Sequence, residues 1–328
     1  MSLNFYKTVE SRFVFLKKEK KRRHIENGFE KTEEKNMNYD YDLKDFDKPR
    51  RDSGPDPYVT VKMSDLTGEF TDLDWNTFRI IVSEGISEEK EAIAAVIDRL
   101  IDEEHYRYSY NAVWQAIKKL IRAHLFWVKR INTGYRTFNV LTLTEIGDIA
   151  YMKRFNKNIP ESEFMNLVRE HGSAEHGYMI KDTKHVLEKL GYKHLTTGRS
   201  ENYIRFTDGS ACIPDIIGSK DGFKWYFEVE CGNHNQQDFD DKCERLKALS
   251  RTLVFVVKNR SDARFKLLPQ IQDWIRHNRD RLRMSQICVC LASVTDLRKG
   301  KWSYIIDPDN DEPICCFERK KKEGKDNA

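Results

Sequence analysis

Two periodicities of apolar residues divide this chain, and the change from one to the other marks out its elements. From Asp74 the spacing is helical: Phe78, Ile81 and Val82 fall on one stripe, then Ile93, Val96, Ile97, Leu100 and Ile101 on another. Residues 108–122 repeat the pattern, with Ser109 as a cap and Val113, Ala116, Ile117, Leu120 and Ile121 as the stripe. That leaves Asn111, Gln115, Lys118, Lys119 and Arg122 on the outer face. Next come two strand-like runs, 125–131 and 136–143, joined at Asn132-Thr-Gly-Tyr, and Thr144 opens another helix. Helices followed by a small hairpin, with a basic, amide-rich third helix, predict a winged-helix DNA-binding domain over residues 71–158.

Beyond Pro160 a helical segment reaches His171, and a second runs from His176 to Leu190. Strands are predicted at 203–206, 211–218 and 223–232, as a meander with Asp208-Gly and Asp221-Gly turns. Helices near 236–250 and 262–282 then alternate with strands at 252–257 and 287–291. The expectation for residues 159–318 is an α/β domain, a mixed sheet flanked by helices. Residues 1–70 carry charge blocks and a Pro- and Gly-rich stretch but little periodicity, and read as an arm or linker. Residues 319–328 read as a basic polar tail.

Composition narrows the function classes. A chain of 328 residues with 39% hydrophobic content has room for two cores. No apolar run approaches the roughly 20 residues that cross a bilayer, and no secretory leader is visible, so a soluble, cytoplasmic protein without a membrane partner is expected. The seven cysteines form no CxxC pair and read as reduced packing residues. Net charge is only +4, yet 34% of residues are charged, so local basic patches govern partner choice. DNA is the expected partner. Asn111 and Gln115 suit adenine edges, whereas Lys118, Lys119, Arg122, Lys129, Arg130 and Arg136 suit phosphates. A protein-docking module is the other use of such a fold.

Three acids interrupt the apolar strands. Along 225–231, Trp225, Phe227, Val229 and Cys231 share one face, while Tyr226, Glu228 and Glu230 share the other. In a sheet covered on both sides these neighbouring carboxylates need a cation, or one of them keeps its proton. On the following helix Lys242 falls within the apolar stripe of Phe239, Cys243, Leu246 and Leu249, so its ammonium points at the sheet. Glu228, Glu230 and Asp215 are the available partners, in either a structural salt bridge or a catalytic cluster.

Pro214-Asp215, a turn, then Glu228-Val-Glu230 resembles the PD-(D/E)xK phosphodiesterase core of restriction-endonuclease-like folds. From residue 74 to about 250 the chain also resembles the replication-relaxation family of mobile-element proteins: His176 with Asp182, Pro214-Asp215, Glu228 and Glu230 with Gly232, then Lys242. The resemblance implies a Mg²⁺- or Mn²⁺-dependent endonuclease or nicking enzyme acting on DNA. Asp215, Glu228 and Glu230 would be metal ligands, Glu230 alternatively a general base, Lys242 a charge stabiliser, and His176 a substrate-positioning or proton-donating residue. Glu230 stands where the PD-(D/E)xK signature has its lysine, and Lys242 supplies an amine from the next helix. A catalytically degenerate accessory or regulatory protein in replication or transfer of a plasmid or integrative element is the alternative. Other proteins of the same element are further expected partners, and the sequence leaves the oligomeric state open, a dimer included.

Overall fold

The computed structural model describes residues 70–232, 235–308 and 313–316. Residues 1–69 of the predicted N-terminal arm, and the basic tail, lie outside them. Among the described residues no helix is long and apolar enough to cross a membrane.

The N-terminal part begins with helices α1 (Asp72–Glu84), α2 (Glu89–Glu104) and α3 (Tyr110–Arg122). Thr71 and Asp74 cap α1 reciprocally, and the Ser109 hydroxyl accepts the Ala112 N–H at the start of α3. The predicted stripes close one core: Phe78, Ile81, Ile93, Val96, Leu100, Val113, Ile117 and Leu120 are all buried in it. An antiparallel hairpin follows, β1 (Phe126–Asn132) and β2 (Thr137–Leu143), then α4 (Glu145–Phe155). Between α1 and α2, Glu88 forms an isolated antiparallel bridge with Val140, so the hairpin gains a third, very short strand.

The second part starts with α5 (Glu163–His171) and α6 (Ala174–Lys189). It is built on a seven-stranded mixed sheet of order β11-β10-β9-β8-β7-β6-β3. The strands are β3 (Lys193–Thr196), β6 (Ile216–Lys220), β7 (Phe223–Glu230), β8 (Thr252–Val257), β9 (Cys288–Ser293), β10 (Tyr304–Ile306) and β11 (Ile314–Cys315). β7, β8 and β9 run parallel, linked by α7 (Gln236–Lys247) and by α8 (Arg260–Asp262), a π-helical turn at Ala263–Leu267 and α9 (Leu268–Met284). A short α10 (Val294–Leu297) follows β9.

Strand alternation sorts the core into two layers. Leu253, Phe255 and Val257 face α7 and α9, whereas Val254 and Val256 join Phe227 and Val229 against α6. With both faces of the sheet covered, Glu228 and Glu230 are buried.

The predicted three-stranded meander is corrected. Ile204–Arg205 (β4) and Ala211–Cys212 (β5) form a separate two-stranded sheet, and after β3 the chain returns to the large sheet only at Ile216. Pro214 lies at the break, where it has no N–H to give to a ladder. The Asp221-Gly222 turn joins β6 to β7 as expected, with both residues at positive φ.

The hairpin does not project into solvent. Ile131, Phe138 and Val140 pack against Ala174 and Tyr178 of α6, and Phe164, Leu167 and Val168 of α5 cover the same cluster. At the turn, a Cβ on Gly134 would come within 1.9 Å of the Lys258 carbonyl oxygen, so only glycine admits this approach.

Candidate functional site

A cavity of about 260 Å³ opens beside the start of β6 and the end of β7, lined among others by Asp215, Glu228, His176, Lys242, Arg199 and Arg245. Its geometry follows from strand register. The last pair of the β6–β7 ladder is Ile216 with Phe227, so one step further Asp215 comes opposite Glu228 on the same side of the sheet. Asp215 also uses its carboxylate to end the ladder, accepting the Val229 N–H at 2.8 Å.

Lys242 meets the acids as its place in the helical stripe predicts. Its Nζ lies 3.0 Å from Glu228 Oε2 and 2.5 Å from Glu230 Oε1. Burial would lower this amine's pKa, but Glu228, Glu230 and Asp215 together raise it above the ordinary lysine range. Glu228 moves the other way from an ordinary carboxylate. Burial pushes it up to about 8, against the pull of Lys242, and the charges of Asp215 and Glu230 reinforce the rise. Both outcomes expected for neighbouring buried acids therefore occur at once: a cation pairs with them, and one carboxyl holds its proton near neutral pH.

His176 is placed by the first turn of α6, where the Ser173 hydroxyl accepts its backbone N–H. Its Nδ1 faces the His171 carbonyl at 3.2 Å, and its Nε2 faces the Val229 carbonyl at 2.8 Å and Asp215 Oδ2 at 3.3 Å. Carbonyl oxygens only accept, so both ring nitrogens donate and the ring is an imidazolium. Burial opposes that charge, but the bond to Asp215, its carboxylate charge and the two carbonyls raise the pKa to about 9. In return, and against its own burial, Asp215 is held below the usual carboxylate range by His176, Lys242 and the Val229 N–H. With both protons engaged, His176 positions Asp215; this differs from the proton donor that sequence reasoning allowed.

Glu230 also departs from expectation. It is 1% exposed, does not line the cavity, and lies under Lys242. The predicted set of three metal-ligating acids thus reduces to two carboxylates at the cavity, Asp215 and Glu228. Among the described residues no group of three His, Cys, Asp or Glu side chains is arranged to hold a metal ion.

Sequence reasoning missed Asn202. It is fully buried, and its Nδ2 donates to the Pro214 carbonyl at 2.8 Å and the Asp215 carbonyl at 3.2 Å, while Thr196 Oγ1 donates to its Oδ1. It fixes the irregular backbone that presents Asp215. A lone asparagine outside any motif gives no sequence signal.

The predicted DNA contacts divide. Asn111, Gln115, Arg122, Lys129 and Arg130 are exposed. Lys118 places its ammonium 3.1 Å from the centre of the Trp114 ring, and Lys119 is tied to Asp74 at 3.0 Å. Arg136 is corrected: its guanidinium bonds Glu88 at 2.5 Å and Asp182 at 3.0 Å, where the hairpin meets α6. Thr133 Oγ1 adds a 2.5 Å bond to Asp182. Two carboxylates already occupy that guanidinium, so it is not presented to a phosphate. Asp182, paired with His176 in the motif, likewise belongs to this seam and not to the cavity.

No family model, curated protein or solved structure matches the chain. The residues compared with the replication-relaxation motifs do not all meet in the structure. Of these, His176, Asp215, Glu228, Glu230 and Lys242 converge, whereas Asp182 does not.

Proposed function

We propose that the protein is a DNA-binding, metal-dependent endonuclease-like protein of a mobile genetic element, of the replication-relaxation type, which nicks or hydrolyses phosphodiesters at the Asp215–Glu228 cavity. One observation carries this reading: Asp215 and Glu228 open side by side onto one cavity, with the Lys242 amine between sheet and helix beside them. That is the acid–acid–amine set of a PD-(D/E)xK core, with the amine relocated to a helix. The mixed sheet with helices on both faces agrees with a restriction-endonuclease-like fold. The Glu88–Val140 bridge, completing a three-stranded sheet after three helices, supports a winged helix in the N-terminal part.

The residues fit Mg²⁺ or Mn²⁺ as a two-carboxylate site, since Mg²⁺ commonly takes one or two protein carboxylates and completes its shell with water and phosphate. When bound, the ion would polarise the phosphate and lower the pKa of a water nucleophile. The chain's own groups do the rest. Asp215, fixed by His176, Val229 N–H and Asn202, and Glu228 hold their oxygens towards the reacting phosphate. Lys242 places positive charge where negative charge grows in the transition state.

A second reading has its own observation. Lys242 and His176 nearly neutralise the cluster, so it is satisfied without an ion, as in a degenerate domain kept for docking in an accessory or regulatory protein. The deciding experiment is plasmid nicking with Mg²⁺, Mn²⁺ or EDTA, on the wild type beside Asp215→Ala. Nicking that needs the metal and falls at least a hundredfold in the variant, about 2.7 kcal/mol in barrier, supports the enzyme. DNA binding without metal-dependent nicking supports the accessory protein.

A further inference from the structure

The cavity has cationic groups that neither the acid cluster nor the seam uses. Arg199, in the loop after β3, and Arg245, on α7, both line it and both are exposed. Neither side chain makes a hydrogen bond or ion pair that would engage it among the described residues. Both nevertheless bear on the cavity walls: Arg199 helps to lower the pKa of the His171 ring, and Arg245 acts against the burial-driven rise of the Cys212 thiol. Two uncommitted guanidiniums lining the same cavity as Asp215 and Glu228 suit a ligand that brings its own negative charge, and planar guanidiniums favour phosphate oxygens.

Size restricts the ligand further. About 260 Å³ lies just below the range of roughly 300 to 1,000 Å³ typical of small-ligand clefts, so it holds about one nucleotide. A volume of that size has room for one nucleotide but not for a step of paired duplex. We infer that Arg199 and Arg245 form a phosphate clamp that seats one nucleotide of an unpaired DNA strand in the cavity, so that the substrate at this site is a single-stranded segment or end. This rests on reading the cavity as a phosphodiester site.

The test is binding of the full chain, in EDTA, to a labelled blunt duplex and to the same duplex carrying a single-stranded overhang. Arg199→Ala and Arg245→Ala should each weaken overhang binding about tenfold, the usual scale for losing a charge-assisted hydrogen bond, and leave blunt-duplex binding unchanged. Arg245→Lys should recover only part, because an ammonium cannot grip two phosphate oxygens at once. Both arginines are exposed, so the fold should survive, which circular dichroism of each variant would verify. Equal affinity of wild type for overhang and blunt duplex, or variants that bind the overhang like wild type, overturns the clamp even if Asp215-dependent nicking is found. An arginine-dependent overhang preference without metal-dependent nicking upholds the clamp and removes the hydrolytic reading.

Discussion

Two buried ionic networks in this protein are built from similar parts and end in different states. At the seam, Arg136 joins Glu88 and Asp182, and Thr133 closes a remaining bond. At the cavity, Lys242 joins Glu228 and Glu230, while His176 holds Asp215. The seam buries its acids between packed elements and leaves Arg136 only partly open. The cavity network instead opens Asp215 and Glu228 to a space that a ligand can enter. The seam is not fully satisfied either, since Glu88 Oε2 is buried without a hydrogen-bond partner; what sets the cavity network apart is that its carboxylates reach a space that can receive a ligand.

The largest effect expected from breaking this comparison is at the seam. Arg136→Ala strands Glu88 and Asp182, 2% and 3% exposed, and should cost about 3 to 5 kcal/mol in urea unfolding. It should not alter the affinity for phosphate-bearing DNA in the surviving folded fraction. Lys242→Met comes next. It should destabilise by about 3 kcal/mol in urea unfolding, because it removes the cation that pairs with the buried Glu228 and Glu230.

A third expectation concerns pH. Glu228 titrates at about 8 in the fold against 4.5 unfolded, and His176 at about 9 against 6.5. Both values are raised, so the folded state binds these protons more tightly. Their stabilisation is complete below pH 4.5 and 6.5 respectively, and it is lost as pH rises through 8 and 9. Urea midpoints should therefore fall between about pH 5 and 9, by up to about 1.4 kcal/mol per pH unit for each proton bound differently. Asp215, with its lowered value, adds a separate loss only below its ordinary 3.8. Glu228→Gln should remove its share of the alkaline slope, and an unchanged slope would mean that Glu228 is ionised throughout. The smallest effect belongs to the exposed helix and hairpin: Lys118→Ala or Lys129→Ala should weaken duplex binding a few-fold and lower the salt slope by about one.

Much of this was legible in the sequence because it is local. The helical stripes of α1 to α3, the hairpin, the strand Thr252–Val257 and the inward Lys242 all follow from periodicity, which needs only the residue order and the repeat of the element. The break at Pro214 was readable in principle, but the apolar run on either side concealed it. Arg136 shows the limit. On the chain it is one more cation at the start of a strand, and its partners lie 46 and 48 residues away. Asn202 and Asp215 are only 13 residues apart, but they meet through backbone carbonyls that no residue pattern encodes.

Sequence alone determined which residues share a face: Glu228 with Glu230, and Lys242 with the apolar side of its helix. Those relations are properties of a single strand or a single helix turn. Tertiary structure decided which charges are left open. That outcome depends on how α6, β6 and α7 pack around the end of β7, since a burial cost and its compensation exist only once separate elements have met.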